Sequence, residues 1–423
     1  MDAAVSPRDR AGRTVLERAL ALARHSDSPE HYTRTLFTPA HRAAARQLEE
    51  WMRAAGMAVR VDPIGNVIGR YEAAEAAAPK AILLGSHFDS VRNGGKYDGV
   101  LGILVPIACI AELHARGERL PHAVEVIAFS DEEGARFQTS FLSSRALAGR
   151  FDPAVLGRRD ADGVSLEAAM REVGLDPAAV DSARIDPAGV AAYVEVHIEQ
   201  GPVLLREGLA LGVVTTIAGG TRHTVRVRGD AGHAGTVPMA MRHDALAAVA
   251  EMVLAVEGRC AAGGSLVGTV GILRVKDGTG NVIPGDVELS VDIRAAEDAV
   301  REAAERDVFE QLEAIARRRG VSLERTRTHH VHAVPCAPWL QDLLAASVRR
   351  VGVEPRRLPS GAGHDAMIMA EVCDVGMLFV RCGAGGVSHN PAETVTAEDC
   401  GLAVEALLDF LRQSVALRRP GPN

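Results

Sequence analysis

Hydrophobic positions along this chain switch between a helical and a strand period, and the switches mark out its elements. From 38 to 56 the apolar residues Leu48, Trp51, Met52 and Ala55 fall on one helical stripe, with Thr38 placed to cap and Pro39 at the first helical position. Residues 57 to 61 and 66 to 71 read as a strand pair about a turn at 62 to 65. The run 81 to 84 is continuously apolar. A glycine-rich loop, an apolar helix over 99 to 116 and a second strand ending near 130 follow it, which is the βαβ order of a parallel or mixed sheet.

After about 215 the alternation changes character. Residues 221 to 230 form a strand buried on one face, 238 to 257 an amphipathic helix, and 266 to 274 a strand. A strand at 286 to 294, a helix at 296 to 319 and a last strand at 321 to 328 complete a split βαβ, ferredoxin-like succession. The strand that opens 376 to 393 ends, like those before 215, in a glycine-rich loop carrying a histidine, so it belongs with the first domain. The expected fold class is α/β: a mixed-sheet domain over 1–216 and 330–423, interrupted by an inserted ferredoxin-like α+β domain over 217–329. An insertion joined by two crossings suggests a hinged lid.

Composition narrows the partners. At 423 residues the chain is long enough for two domains, and 47% hydrophobic with 24% charged residues describes a globular protein. A formal charge of −8 argues against nucleic acid or an anionic membrane as the main partner. The longest apolar stretch, 100 to 111, is too short to span a bilayer, and the N-terminus is polar with no apolar leader. Cys109, Cys260, Cys336, Cys373, Cys382 and Cys400 form no C-x-x-C pair and read as reduced thiols of a cytoplasmic protein. An Ala-rich loop at 73 to 78 and a frayed tail RRPGPN are expected.

Candidate chemistry sits where strands end. In GSHFDSVRNGGKYDG (85 to 99) a buried strand delivers His87, with Asp89 two residues on as a partner for the ring and Asp98 in a glycine-rich turn. A purely structural turn is the plain alternative. VIAFSDEEGARF (126 to 137) ends a strand in Glu132 and Glu133, whose side chains diverge, so one can bind metal while the other faces substrate; a solvated acidic loop is the bland option. AAYVEVHIEQGPVL (191 to 204) delivers His197 and Gln200, and GMLFVRCGAGGVSHNPAE (376 to 393) carries His389. Four strand ends, each with a His or Glu, are hard to explain as hydrogen-bonded structure alone.

Together GSHFDSVRNGGKYDG, DEEGARF, EVHIEQGPVL, GDAGHAGTVPM, GNVIPGD, DIR, SGAGHDAM and SHNPAE, spanning about residues 30 to 412, resemble the M20-type binuclear metal amidohydrolases of the allantoate amidohydrolase and N-carbamoyl-L-amino acid hydrolase branch. The loop SVRNGGKYDG and the run FQTSFLSSRALAG are more similar to the allantoate enzymes, while Leu205 and Gly220 stand where relatives often carry Glu and Gln. The resemblance implies a phosphorylase/hydrolase-like catalytic domain, a lid that also dimerises, and hydrolysis of a ureido carbon–nitrogen bond in a small molecule. N-carbamoyl-L-amino acid hydrolase, β-ureidopropionase and a peptidase or aminoacylase are the rival activities.

Five imidazole and carboxylate ligands are too many for one catalytic zinc, which keeps about three. A bridging Asp98 resolves them into His87, Asp98 and His197 on one ion and Asp98, Glu133 and His389 on another, with Mn²⁺ or Zn²⁺ expected and Co²⁺ or Ni²⁺ as further options. Glu132 is then the general base, and Asp89 steers His87. For substrate, Arg294 offers a carboxylate fork and Arg222 a second cation, although a surface ion pair is the other reading of Arg294. Asn281 and Gln200 can read a ureido group. Gly361, Gly363 and His364 form either a loop of backbone donors or a tight turn. In the family the histidine matching His233 reaches the other subunit's site as an oxyanion donor; capping the following helix is the alternative. The helix 238 to 257, with Ala245, Val249, Met252 and Val253 on its apolar face, is the expected dimer surface, beside an exposed strand edge.

Overall fold

The computed structural model describes residues 6–75, 80–261 and 263–414; the RRPGPN tail and residues 76–78 of the Ala-rich loop lie outside them. The chain divides into two compact units, Met1–Thr215 with Cys336–Leu358 and His364–Asn423, and Thr216–Pro335 with Pro359–Gly363.

In the first unit the central strands run in the order Ala58–Val61, Val67–Tyr71, Ala123–Phe129, Ala81–His87, Val190–Ile198, Val375–Val380 and Leu211–Ile217. Ala123–Phe129, Ala81–His87, Val190–Ile198 and Val375–Val380 are mutually parallel, and antiparallel strands flank them, so the sheet is mixed. Every residue of Ala81–His87 and Ala123–Phe129 is buried, which is why both are mostly apolar, with Glu125, Ser86 and His87 the polar exceptions. The helix between them, Leu101–Ala115, is apolar almost all round and buries Leu104, Ile107 and Ile110 among others. Pro39–Ala54 begins where the sequence places it: the Thr38 side chain accepts the His41 N–H and Pro39 takes the first turn. Its stripe buries Ala44, Leu48 and Met52.

The second unit is a ferredoxin-like sandwich. Its antiparallel sheet has the order Leu273–Val275, Asp286–Ala295, Gly219–Arg228, Ser322–Val331, with Val267–Thr269 also pairing Asp286–Ala295. Alternate residues of Asp286–Ala295 are buried, and Val287, Leu289, Val291 and Ile293 pack against Ala-, Val- and Leu-rich faces of Ala245–Cys260 and Asp298–Arg319.

Three expectations need correction. The helix placed at 238 to 257 is a short 3₁₀ turn, Met239–Met241, followed by Ala245–Cys260, because Asp244 supplies the cap by accepting the Ala247 N–H. The strand at 266 to 274 is two short strands, Val267–Thr269 and Leu273–Val275. Most important, Ala245, Val249 and Met252 are fully buried in their own unit's core, so the apolar face assigned to dimerisation is spent on covering the sheet. Among the described residues, no helix is long and apolar enough to cross a membrane.

Candidate metal centre and active site

The parallel strands of the first unit point their C-terminal ends the same way, the edge of an α/β sheet where ligands bind. Ala81–His87 ends in His87, Ala123–Phe129 leads into Asp131, Glu132 and Glu133, Val190–Ile198 carries His197, and Val375–Val380 leads to the loop of His389. Sequence-distant side chains therefore meet there. Their atoms form the groups His87–Asp98–His197, Asp98–Glu133–His389 and His87–Glu132–Glu133, each within 4.8 Å.

Asp98 stands between the first two groups. Its Oδ1 lies 3.4 Å from His197 Nε2 and 3.9 Å from His87 Nε2, while its Oδ2 lies 3.1 Å from His389 Nε2. His389 Nε2 is also 3.4 Å from Glu133 Oε1, a buried oxygen with no hydrogen bond. The loop can come this close because Gly99 has φ +65°, and a Cβ there would sit 2.5 Å from the His87 ring. Asp89 lies behind. Its Oδ1 is 3.3 Å from His87 Nδ1 and accepts the Glu132 N–H at 3.0 Å, and its Oδ2 accepts the Glu133 N–H at 3.2 Å. One carboxylate thus orients the imidazole and both glutamates.

The electrostatics are those of crowded, buried charge. Burial, then the neighbouring Glu133, pushes the Glu132 carboxyl well above the usual carboxylate range. Burial and Asp98 push Glu133 up to about 7. Burial favours a raised Asp98 as well, but the His389 hydrogen bond and the charges of His197 and His87 hold it well below its ordinary value. His389 is pushed up to about 9, first by its bond to Asp98, and burial pushes His197 down to about 4. For His87 burial is opposed and outweighed by Asp89, so its pKa lies well above the usual imidazole value. So many carboxylates are expensive to bury together without a cation. Imidazole nitrogens and carboxylate oxygens with no thiolate fit a borderline or hard divalent ion such as Zn²⁺ or Mn²⁺.

Two other expected residues belong to this neighbourhood. Gln200, with φ 55°, donates from Nε2 to Asp98 Oδ1 at 3.0 Å and to Ser388 Oγ at 3.1 Å, so its amide is engaged with the centre itself. His364 is buried, its ring 4.5 Å from that of His197, and burial holds its pKa well below the usual value. The sequence reading missed Glu195, which is fully buried; its carboxylate accepts from the Ser86 and Tyr193 hydroxyls at 2.7 and 3.2 Å and from the Ala366 N–H at 2.9 Å. The signal was present: a lone charge inside an apolar strand, two residues before His197 and on the same face. Glu393 and Ser388 were also missed, although both lie in the SHNPAE segment.

The remaining candidates lie in the second unit. His233 is exposed on a two-strand ribbon paired with Val282–Ile283, and the Ala234 N–H donates to the Asn281 carbonyl at 2.9 Å, so His233 and Asn281 are neighbours. His233 Nδ1 accepts the Gly235 N–H at 3.1 Å. Arg222 and Arg294 share Asp292: Arg222 donates Nε–H and Nη2–H to Oδ2 at 2.9 and 2.8 Å, and Arg294 donates Nε–H to Oδ1 at 2.9 Å. Arg294 Nη1 also donates to the Gly361 carbonyl at 2.9 Å. Two guanidinium groups around one carboxylate leave a net positive charge with unused donors.

The profile of Peptidase family M20/M25/M40 matches residues 83–413. The chain belongs to this family. Among its relatives, the N-carbamoyl-L-amino acid amidohydrolase of Geobacillus stearothermophilus is 42% identical, covering 89% of this chain and 91% of its own. The allantoate deiminase of Arabidopsis thaliana is also 42% identical, covering 92% and 80%. A solved amidase of the hydantoinase/carbamoylase family from Burkholderia multivorans superposes with a TM-score of 0.88 at 31% identity, covering 95% of this chain and 97% of that one. The family's enzymes depend on metal, and this M20 chain is an amidohydrolase acting on non-peptide carbon–nitrogen bonds, with side-chain groups able to hold metal.

Proposed function

We propose that the protein is an allantoate amidohydrolase of ureide nitrogen catabolism, converting allantoate and water to ureidoglycine, ammonia and carbon dioxide. The observation that carries the hydrolytic part is Asp98, whose two oxygens face different histidine groups at 3.4 and 3.1 Å. This suits two divalent ions, Mn²⁺ or Zn²⁺, one held by His87, Asp98 and His197 and the other by Asp98, Glu133 and His389. Bound there, such a pair polarises a carbonyl and acidifies a water.

The chain's own groups do the rest. Glu132 accepts the proton of the attacking water at its carboxylate and returns it to the leaving nitrogen, and its raised pKa suits holding that proton between the two transfers. The water oxygen bonds to the ureido carbon, the C–N bond breaks, and the carbamate released decomposes to ammonia and carbon dioxide. Asp89 keeps the His87 Nε2 lone pair directed at the centre. With Nδ1 of His233 accepting from Gly235, the ring proton resides on Nε2, an outward donor suited to a developing oxyanion. Arg294, with Arg222 beside it, receives the substrate carboxylate. Asn281, Gln200, His364 and the backbone of Gly361 and Gly363 read the ureido group. In this reading the second unit serves as a lid and joins two chains into a homodimer. Leu254 on the helix Ala245–Cys260, Val267 and Leu273 on two short strands and Ile272 between those strands are all exposed and support that role.

N-carbamoyl-L-amino acid hydrolysis is the second reading, because the two kinds of relative are equally identical at 42%. Ammonia release from allantoate, N-carbamoyl amino acids and acetyl amino acids, measured side by side with added Mn²⁺ or Zn²⁺, separates them. The proposal expects the highest kcat/KM on allantoate; a higher value on an N-carbamoyl amino acid replaces it with the second reading.

A further inference from the structure

Asp98 and His389 lie on loops far apart in the chain, and something must hold the two together before any ion arrives. Glu393, only 3% exposed, is built into that junction. Its Oε1 accepts the backbone N–H of Tyr97 at 2.8 Å and of Asp98 at 3.1 Å, and its Oε2 accepts the Ser388 hydroxyl at 2.7 Å. Ser388 Oγ in turn accepts from Gln200 Nε2, which also donates to the Asp98 carboxylate. The result is a closed ring of hydrogen bonds from the Asp98 backbone through Glu393, Ser388 and Gln200 to the Asp98 side chain. Ser388 passes its one proton to Glu393 and accepts one from Gln200, so within the ring Glu393 only accepts and Gln200 only donates.

Two further observations agree. His389 sits at φ 52°, a left-handed conformation that costs a non-glycine residue of order 1 kcal/mol or more unless its surroundings impose it. The loop around it is closed by the Glu393 N–H donating to the Asn390 carbonyl at 3.0 Å. On the other side, Gly95 leaves the room Glu393 occupies: a Cβ there would overlap the carboxylate.

We propose that Glu393 is the positioning residue of the His389 side of the centre, locking the Asp98 loop to the His389 loop so that Asp98, Glu133 and His389 converge. The inference rests on the reading of Asp98 and His389 as ligands. Full-length protein loaded with Zn²⁺ and titrated with a chelator tests it, with metal content and the melting temperature of the stripped protein followed in parallel. Glu393→Ala should weaken the ion at Asp98, Glu133 and His389 by about 10–100-fold, affect the other less, and still melt cooperatively when stripped, somewhat below wild type because it leaves buried donors unpaired. Glu393→Gln should recover most of the affinity, since its amide oxygen still accepts from Tyr97 and Asp98. Gly95→Ala, which leaves Glu393 in the chain but takes its space, should reproduce the loss. Wild-type retention of both ions in Glu393→Ala and Gly95→Ala overturns the proposal. His389→Ala separates the two levels: if it too keeps both ions, the ligand reading itself fails, whereas loss of one ion there with none in the other two variants sinks only the role of Glu393.

Discussion

Glu132 and Glu133 are chain neighbours with different surroundings. The Glu133 carboxylate lies with Asp98 and His389, whereas that of Glu132 groups only with His87 and Glu133. Glu132→Gln should therefore retain metal and lose kcat by roughly 10²–10⁴-fold, the usual worth of a general base, while Glu133→Gln should weaken one ion. Metal analysis beside steady-state kinetics checks this, and the reverse pattern would exchange the two roles. His41 makes a different kind of prediction. It is buried, stacked on Phe88 at 4.3 Å, with Nε2 2.8 Å from the Ser130 carbonyl, and burial pushes its pKa down to about 4. The unfolded chain, titrating near 6.5, binds protons more readily, so this contribution is complete above about pH 6.5 and is lost as pH falls towards 4. The shift corresponds to on the order of 3 kcal/mol. Denaturant unfolding across that window should show wild type losing stability relative to His41→Phe; a pH-independent difference would refute the assignment.

At the scale of elements, the helix Ala245–Cys260 shows how an apolar stripe is used. Met252 is fully buried in its own unit's core. Met252→Ala should cost about 2–5 kcal/mol through lost burial and the cavity left behind. Equilibrium unfolding at several protein concentrations should give the same loss at each, because the damage lies within one chain. A loss that vanishes on dilution would instead return this face to an interface.

For the whole molecule, the proposed dimer has to use what the core leaves over. Leu254, on the outer side of the same helix, is 65% exposed, and Leu254→Asp should shift the protein to monomer in sedimentation while sparing the protomer's melting. If the dimer also shares its sites, mixing inactive His233→Ala and Glu132→Gln chains should restore activity, since a hybrid has one site with both defects and one intact. Verified hybrids without activity would count against a shared site.

Much of this was legible along the chain. The ends of apolar strands at His87, Glu133 and His197 are visible as period changes followed by glycine, because a buried strand must surface where its ligand-binding end begins. The alternation of Asp286–Ala295 and its neighbours likewise spells out a one-faced sheet with two helices over it. Other features depend on three-dimensional proximity, to which local pattern is blind. The amphipathic stripe of Ala245–Cys260 is the same whether it meets a sheet of its own unit or a second chain, and only packing decided for the sheet. Asp292 reads as an ordinary polar strand residue beside Arg294 on its own face until register sets Arg222 opposite it. Glu195 and Glu393 are single charges in sequence; burial and donors supplied by distant segments turn them into anchors. Composition and period determine which residues must be inside and where strands end, since those follow from local geometry and water. Which oxygen faces which nitrogen is decided by the tertiary fold alone, because it depends on loops that only the folded sheet brings within hydrogen-bonding reach.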